Sequence, residues 1–261
     1  MNTYNMVNIN AFRCHIREKI RDISNFLEGY DPLIVCIQEI DINSALQVFD
    51  GKFQVFCNIE KDANDGVGIV SLVRRDIVVR DMIIGINGRI IGLKIGNAQI
   101  WNVYPKSGTA YKNEREKFFR EDLTELFTQW KDQSKYIFQI GDHNFTHRIE
   151  DSLYNGAQHL QKCLVSHLQL HGMSDDFLRV HGGDMIMYSR VTERSKTRID
   201  YIFSNTNACI YFQYVPLVGF DHRVALAQYE LEMEVINEVI PVERYSDGWV
   251  INRNPGGAKV S

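Results

Sequence analysis

Apolar positions switch repeatedly between a period of two and a period near 3.6 along this chain, and that switching predicts its elements. Residues 4–9 read as a strand. Ile16, Ile20, Ile23 and Leu27 then recur at helical spacing, predicting a helix over 13–28 that stops at Gly29. Asp31-Pro32 is a turn, and Leu33 to Ile37 is a short apolar run of the kind buried on both faces. Strands are expected at 53–58, 67–74, 77–86, 90–95 and 98–103. A helix over 113–130 follows, with Phe118, Leu123, Leu126, Phe127 and Trp130 as its apolar stripe. A strand at 136–140, a helix over 157–170 and strands at 185–189, 198–204, 208–215 and 223–231 complete the pattern. Helices interleaved with many strands make the chain α/β or α+β, with sheets that need helices over them. Residues 233–261 lose the strand pattern and end in Pro255-Gly256-Gly257, so the reading is one domain over 1–232 and a C-terminal tail or linker.

Composition narrows the class. With 44% apolar and 24% charged residues the chain is neither a disordered tail nor a collagenous repeat. An apolar run such as Leu33 to Ile37, as long as any in the chain, falls far short of the roughly 20 residues that span a bilayer, and no membrane partner is expected. Met1 to Asn10 is polar and shows no signal-peptide pattern. Cys14, Cys36, Cys57, Cys163 and Cys209 are scattered and odd in number, which suits an intracellular, reducing compartment and offers no zinc site. The net charge of −4 argues against a globally basic nucleic-acid binder and leaves local basic patches to do that work.

Apolar strands that end abruptly in polar residues mark where chemistry can gather. Five segments do so: Val7-Asn8-Ile9-Asn10, Ile34 to Glu39, Ile100 to Tyr104, Ile137 to Asn144, and Val215 to Phe220 followed by Asp221-His222. Asp200 sits beside them, inside a strand-like alternation. Singly, each has a plain reading: Asn8 and Asn10 as helix caps, Glu39 as an exposed acid, Tyr104-Pro105, Gly141-Asp142 and Asp221-His222 as turns or loops. Asp200 resists that treatment, because a carboxylate among apolar neighbours needs a partner. Together they specify a chemistry. Glu39, Asp221 and Asn8 offer oxygen ligands for a hard cation, Mg²⁺ or Mn²⁺. Asp142 suits the orientation or deprotonation of a water, and His222 on Asp200 is a charge-supported imidazole for a developing oxyanion. Asn8, Asn144 and Tyr104 can donate to a phosphate or a leaving oxygen. That set describes a phosphoester hydrolase.

The order of these blocks resembles the endonuclease/exonuclease/phosphatase superfamily. Val7-Asn8-Ile9-Asn10-Ala11-Phe12-Arg13 is similar to its first strand, Gln38-Glu39 to its metal-ligand pair, and Gly66-Val67-Gly68-Ile69 to its glycine-containing strand. Asn102-Val103-Tyr104, Gly141-Asp142-His143-Asn144, Arg198-Ile199-Asp200-Tyr201 and Asp221-His222 resemble its remaining motifs, with His143 where an apolar residue is usual. The resemblance implies a DNase I-like four-layered α/β/β/α sandwich with the site between the sheets. It implies Glu39 as metal ligand, Asp142 at the nucleophilic water, Asn8 and Asn144 in positioning roles, Asp200 and His222 as a dyad at the scissile phosphate with Asp221 nearby, and Tyr104 at the phosphate or the leaving group. Asp142 and His222 both stand as the general base. Within the superfamily, the succession from Asp142 through Asp176-Phe177, Arg179, His181 and Tyr188-Ser189 to Thr197-Arg198-Ile199-Asp200-Tyr201 resembles the endonuclease domain of LINE-type (non-LTR) retrotransposons. Gly248-Trp249-Val250-Ile251-Asn252 resembles a segment that follows that domain.

The expectation is therefore a Mg²⁺-dependent endonuclease that nicks double-stranded DNA to leave 3′-OH and 5′-phosphate ends. In a retrotransposon polyprotein that 3′-OH primes a reverse transcriptase domain of the same chain, acting in the nucleus. Arg190, Arg194, Lys196, Thr197 and Arg198 in a hairpin-length loop, with Asn10 and Lys106, are the expected DNA contacts. The rivals are an AP-site repair endonuclease, a lipid or inositol phosphoesterase, and a catalytically dead binding domain.

Overall fold

The computed structural model describes residues 1–59, 67–85, 88–130, 133–153, 162–234, 243–244 and 250–251. Strand β1 (Asn2–Cys14) runs into helix α1 (Arg17–Glu28), β2 (Ile34–Asp41), α2 (Ile42–Phe49), β3 (Phe53–Ile59) and β4 (Val67–Arg74). Next come β5 (Val79–Ile84), β6 (Ile90–Ile95) and β7 (Ala98–Val103). A helical run follows, α3 (Lys112–Lys117) and α4 (Leu123–Gln129), joined by a π turn at Phe118–Asp122. Then follow β8 (Tyr136–Asp142), α5 (Lys162–Leu170), β9 (Ser174–Asp175), α6 (Asp176–His181), β10 (Arg190–Val191), β11 (Lys196–Thr197), β12 (Asp200–Ser204), β13 (Cys209–Pro216) and β14 (Arg223–Leu231).

Two six-stranded mixed sheets face each other, ordered β13-β14-β1-β2-β4-β3 and β5-β6-β7-β8-β12-β9. Each contains one parallel pair, β1–β2 and β7–β8, joined by a helical crossover. A central core joins Met6, Ile34 and Cys36 of the first sheet to Ile100, Ile140 and Ile202 of the second. Alternate residues of the same strands face outward: Val7, Val35 and Ile37 pack under α1 and α2, and Trp101 and Tyr201 under the α3–α4 run and α5. This is the α/β/β/α order of a DNase I-like sandwich.

Departures from the sequence expectations have local causes. Helix α2 has an Asp41 cap, whose side chain accepts from the Ser44 N–H at 2.8 Å, and α6 is capped by Asp175 in the same way; both are too short to show a full helical period. Met185 to Ser189 form no strand, since Arg148 takes the Met185 carbonyl and Ser189 is committed to Asp200. Gly66, Gly248, Trp249, Asn252 and residues 157–161 of the expected helix lie outside the described residues. Of the expected tail, the described residues are 233–234 and the paired two-residue strands Glu243–Arg244 and Val250–Ile251. Among the described residues no helix is long and apolar enough to cross a membrane.

Candidate active site

Strand alternation builds the site. The same period of two that points Met6, Cys36, Ile100, Ile140 and Ile202 into the space between the sheets points Asn8, Gln38, Asn102, Asp142 and Asp200 there too, two residues later on the first four strands and two residues earlier on antiparallel β12. The apolar core therefore ends in a polar floor. Gln38 Nε2 donates to Asn8 Oδ1 and to Asn102 Oδ1, both at 2.9 Å, and Asn102 Nδ2 donates to the Val70 carbonyl at 2.9 Å. Asn8 Nδ2 passes the chain on to Asp200 Oδ1 at 3.5 Å.

Asp142 and Asp200 are direct cross-strand partners in the β8–β12 register, both buried. Like charges in that relation repel. Backbones come close here as well: a Cβ on Gly141 would lie 1.9 Å from the Val103 carbonyl oxygen, so only glycine lets β8 sit against β7 beside the site. Asp142 accepts from Asn10 Nδ2 at 2.7 Å and from the Asn144 N–H at 2.8 Å, both neutral donors. Burial, then the neighbouring Asp200 charge, pushes its carboxyl up to about 7 against the opposing pull of His222. Asp200 Oδ2 accepts from Ser189 Oγ at 2.7 Å and from His222 Nδ1 at 2.8 Å. Burial drags the His222 imidazole down, yet the charge and hydrogen bond of Asp200 outweigh it and hold it at about 9. His222 is thus an imidazolium at neutral pH, with Nδ1 taken by Asp200. Ligand atoms of Asp142, Asp200 and His222 all lie within 4.8 Å of one another.

Glu39 and Tyr104 form the adjoining wall. The Tyr104 hydroxyl donates to Glu39 Oε1, while burial and then the Glu39 charge push the phenol well above its ordinary range. Glu39 has a φ of 56° and Asn144 one of 51°, left-handed conformations that non-glycine residues adopt at a cost. The β2–β4 register shifts between Ile37 and Ile40, a bulge that re-aims Glu39 at the strand end.

The DNA-facing expectations divide. Arg190 and Val191 pair with Thr197 and Lys196 in a β10–β11 hairpin, and Arg190 also bridges to His222 through the backbone, so the hairpin is rooted on the site. Arg194 and Lys196 are exposed along it. Arg190 Nε donates to Asp221 Oδ2 at 3.1 Å, and Asp221 lies outside the three-residue cluster. Lys106 pairs with Glu114 at 3.2 Å. Arg198 is a correction: it is fully buried, its guanidinium taken by Asp151 and Asp175, and it cannot reach DNA. Asn10 is a second correction, since it is buried and its amide holds Asp142. The Asn8 amide is likewise committed at both ends, to Gln38 and Asp200, so its oxygen is not a free metal ligand.

Asn102, Ser189 and Arg89 escaped the sequence reading as site residues, and Gln38 entered it only beside Glu39, through the resemblance to a metal-ligand pair, whereas its amide ties Asn8 to Asn102. Gln38 and Asn102 carried a usable signal, as amides at inward positions of apolar strands. Ser189 Oγ accepts from the backbone N–H groups of Ile199 and Asp200, both at 3.0 Å, and so fixes the strand that bears Asp200. Arg89 lies with its guanidinium 4.9 Å from the Tyr104 ring centroid, and its carbonyl accepts the Tyr104 N–H. His143, in the place of an apolar residue, is held neutral by burial, down at about 4; its ring stacks on Phe119 while its nitrogens meet Gln139 Nε2 at 2.9 Å and the Gly141 carbonyl at 3.0 Å.

A family model described as "Endonuclease/Exonuclease/phosphatase family" matches residues 7–229. The chain belongs to the endonuclease/exonuclease/phosphatase family. It is accordingly a metal-dependent phosphodiesterase in class, with Asp142, Asp200 and His222 at its polar floor. Among solved structures, an AP endonuclease from Archaeoglobus fulgidus is similar at a TM-score of 0.71 and 16% identity, covering 87% of this chain and 100% of that one. An AP endonuclease from Leishmania major is similar at 0.70 and 14%, covering 88% of each chain. A 3′ phosphatase from Neisseria, bound to a product DNA hairpin, is similar at 0.68 and 16%, covering 87% and 100%. At these identities the likeness is one of fold. A comparison with curated protein sequences finds no match.

The donor set suits a hard divalent cation. Asp142 is buried beside a second carboxylate with only neutral donors on its oxygens, so negative charge remains uncompensated there. Glu39, partly exposed at the neighbouring strand end, supplies a further carboxylate.

Proposed function

We propose that this chain is a Mg²⁺-dependent DNA endonuclease that hydrolyses a phosphodiester to 3′-OH and 5′-phosphate ends. The observation that carries the reading to DNA is the β10–β11 hairpin, which presents Arg194 and Lys196 to solvent and is bridged at its base to His222. A ribbon that exposes Arg194 and Lys196 against one acid, Glu193, and is rooted on the reacting centre matches a long polyanion better than a small phosphate ester.

Glu39 and Asp142 would hold the cation, which when bound would supply Lewis-acid stabilisation of charge on the phosphoryl oxygens. Asp142, held by Asn10 and the Asn144 N–H, takes the proton of the attacking water. His222 arrives charged, with Nδ1 fixed by Asp200, and its Nε2–H is the donor for a developing oxyanion. Tyr104 donates its hydroxyl at the wall beside Glu39. In a LINE-type element the released 3′-OH primes reverse transcription by a partner domain of the same polyprotein, at nuclear DNA; the motif succession from Asp142 to Tyr201 supports that part.

A second reading, cleavage at abasic sites, is supported equally by the AP endonucleases of like fold. Side-by-side cleavage of intact and abasic duplexes separates the two. Comparable rates on both favour target nicking, and a preference of several hundredfold or more for the abasic duplex overturns it.

A further inference from the structure

Phe12 is a residue for which folding supplies no reason. Its φ is 48°, in the left-handed region where glycine is at home, and its side chain is 57% exposed. Its neighbours Ala11 and Cys14 are buried in the core under α1, so the chain turns over at Phe12 and presents the ring outward. The β1–β2 register breaks between Asn10 and Cys14, beside the break that re-aims Glu39 on the adjoining strand. A glycine at position 12 would remove both the strained backbone and the exposed apolar surface.

What holds Phe12 there is the site itself. Its N–H donates to Asn10 Oδ1 at 2.8 Å, and the same Asn10 amide donates through Nδ2 to Asp142 at 2.7 Å. One side-chain amide therefore separates the Phe12 backbone from the carboxylate assigned to the attacking water. Resting on the DNA reading of the site, we infer that Phe12 is a substrate-binding platform: its ring packs against the base and sugar of the nucleotide flanking the scissile phosphate. A flat aromatic face accepts any base by stacking and leaves sequence choice to the hairpin.

Phe12→Gly and Phe12→Trp test this with two readouts that a structural role would move the other way. Binding is followed by the anisotropy of a fluorescein-labelled duplex in EDTA, where no cleavage occurs, and stability by thermal melting. Phe12→Gly is expected to melt at or above the wild-type temperature while binding DNA about tenfold more weakly. Phe12→Trp is expected to retain affinity and to lose indole fluorescence as DNA is added. Unchanged affinity in Phe12→Gly, a lowered melting temperature in it, or indole emission indifferent to bound DNA each overturns the platform while leaving the nuclease reading standing. A wild-type chain that binds no DNA overturns the DNA reading and the platform with it.

Discussion

Arg198 and Asp200 flank Ile199, both fully buried, and they belong to two charged clusters that are satisfied in opposite ways. Around Arg198 every charge is answered within the protein. Asp151 accepts a guanidinium fork from Arg198 at 3.0 and 2.9 Å and a further bond from Arg148 at 3.1 Å. Asp175 pairs with Arg198 at 2.7 Å and caps α6. Despite burial, the Arg198 charge and the contact with His147 draw the Asp175 carboxyl below its ordinary range. Phe177 and Tyr201 lie against the guanidinium as well. Around Asp200 the balance is left open, since two cross-strand carboxylates share one imidazolium and a set of neutral donors. The first cluster ties the turn at Arg148–Asp151 to β12 and the start of α6; the second needs a cation or a proton from outside. Buried charge is therefore a poor marker of function by itself, and the informative quantity is whether its partners are already in the chain.

Substitutions should split the clusters cleanly. The largest effect on rate is expected from Asp142→Asn, which keeps shape and removes charge. Nicking falls by about 10²–10⁴-fold while the melting temperature holds or rises, because a like-charge contact is relieved. Arg198→Ala should do the reverse. It removes the one cation shared by buried Asp151 and Asp175, leaving them only Arg148 and His147, costs about 3–5 kcal/mol in denaturant unfolding, and spares the rate of whatever fraction stays folded. His222→Ala is expected to lower kcat by about 10²–10³-fold with a smaller change in KM.

The pH dependence of stability sharpens the contrast. His222 is raised from 6.5 to about 9 in the folded chain, so its contribution is fully present below about pH 6.5 and is lost as pH rises through about 9. Melting in EDTA should show that decline, and Asp200→Asn, which removes the partner, should flatten it. The smallest effect belongs to the wall. Arg89→Ala is expected to slow nicking by about three- to tenfold, and by much less in a Tyr104→Phe background, where the clamped hydroxyl is already gone.

Strand alternation made much of this molecule legible before its fold was known. The strands at 67–74, 90–95, 98–103 and 223–231 match Val67–Arg74, Ile90–Ile95, Ala98–Val103 and Arg223–Leu231, because each is largely buried and mostly apolar, interrupted only by isolated polar positions such as Ser71, Lys94, Gln99 and Gln228. Glu39, Tyr104, Asp142, Asn144, Asp200 and His222 were readable as polar residues at apolar strand ends, and the structure gathers them at one end of the inter-sheet core. Arg198 was not readable, since a basic residue beside an exposed cationic hairpin looks like a DNA contact until Asp151 and Asp175, 47 residues and 23 residues earlier in the chain, are seen to claim it. Ser189 and Arg89 were equally hidden, because their roles depend on side-chain contacts, with Asp200 and with the Tyr104 ring, that no periodicity of the chain marks. Asn10 was visible as a polar residue but not as the link between Asp142 and Phe12.

Incubation of supercoiled plasmid with the purified chain in Mg²⁺, beside Asp142→Asn and an EDTA control, tests the central claim most directly. The account predicts open circles bearing 3′-OH ends from the wild-type chain alone, and none from the variant or in EDTA. Intact plasmid in Mg²⁺, or nicking that survives Asp142→Asn, would contradict it.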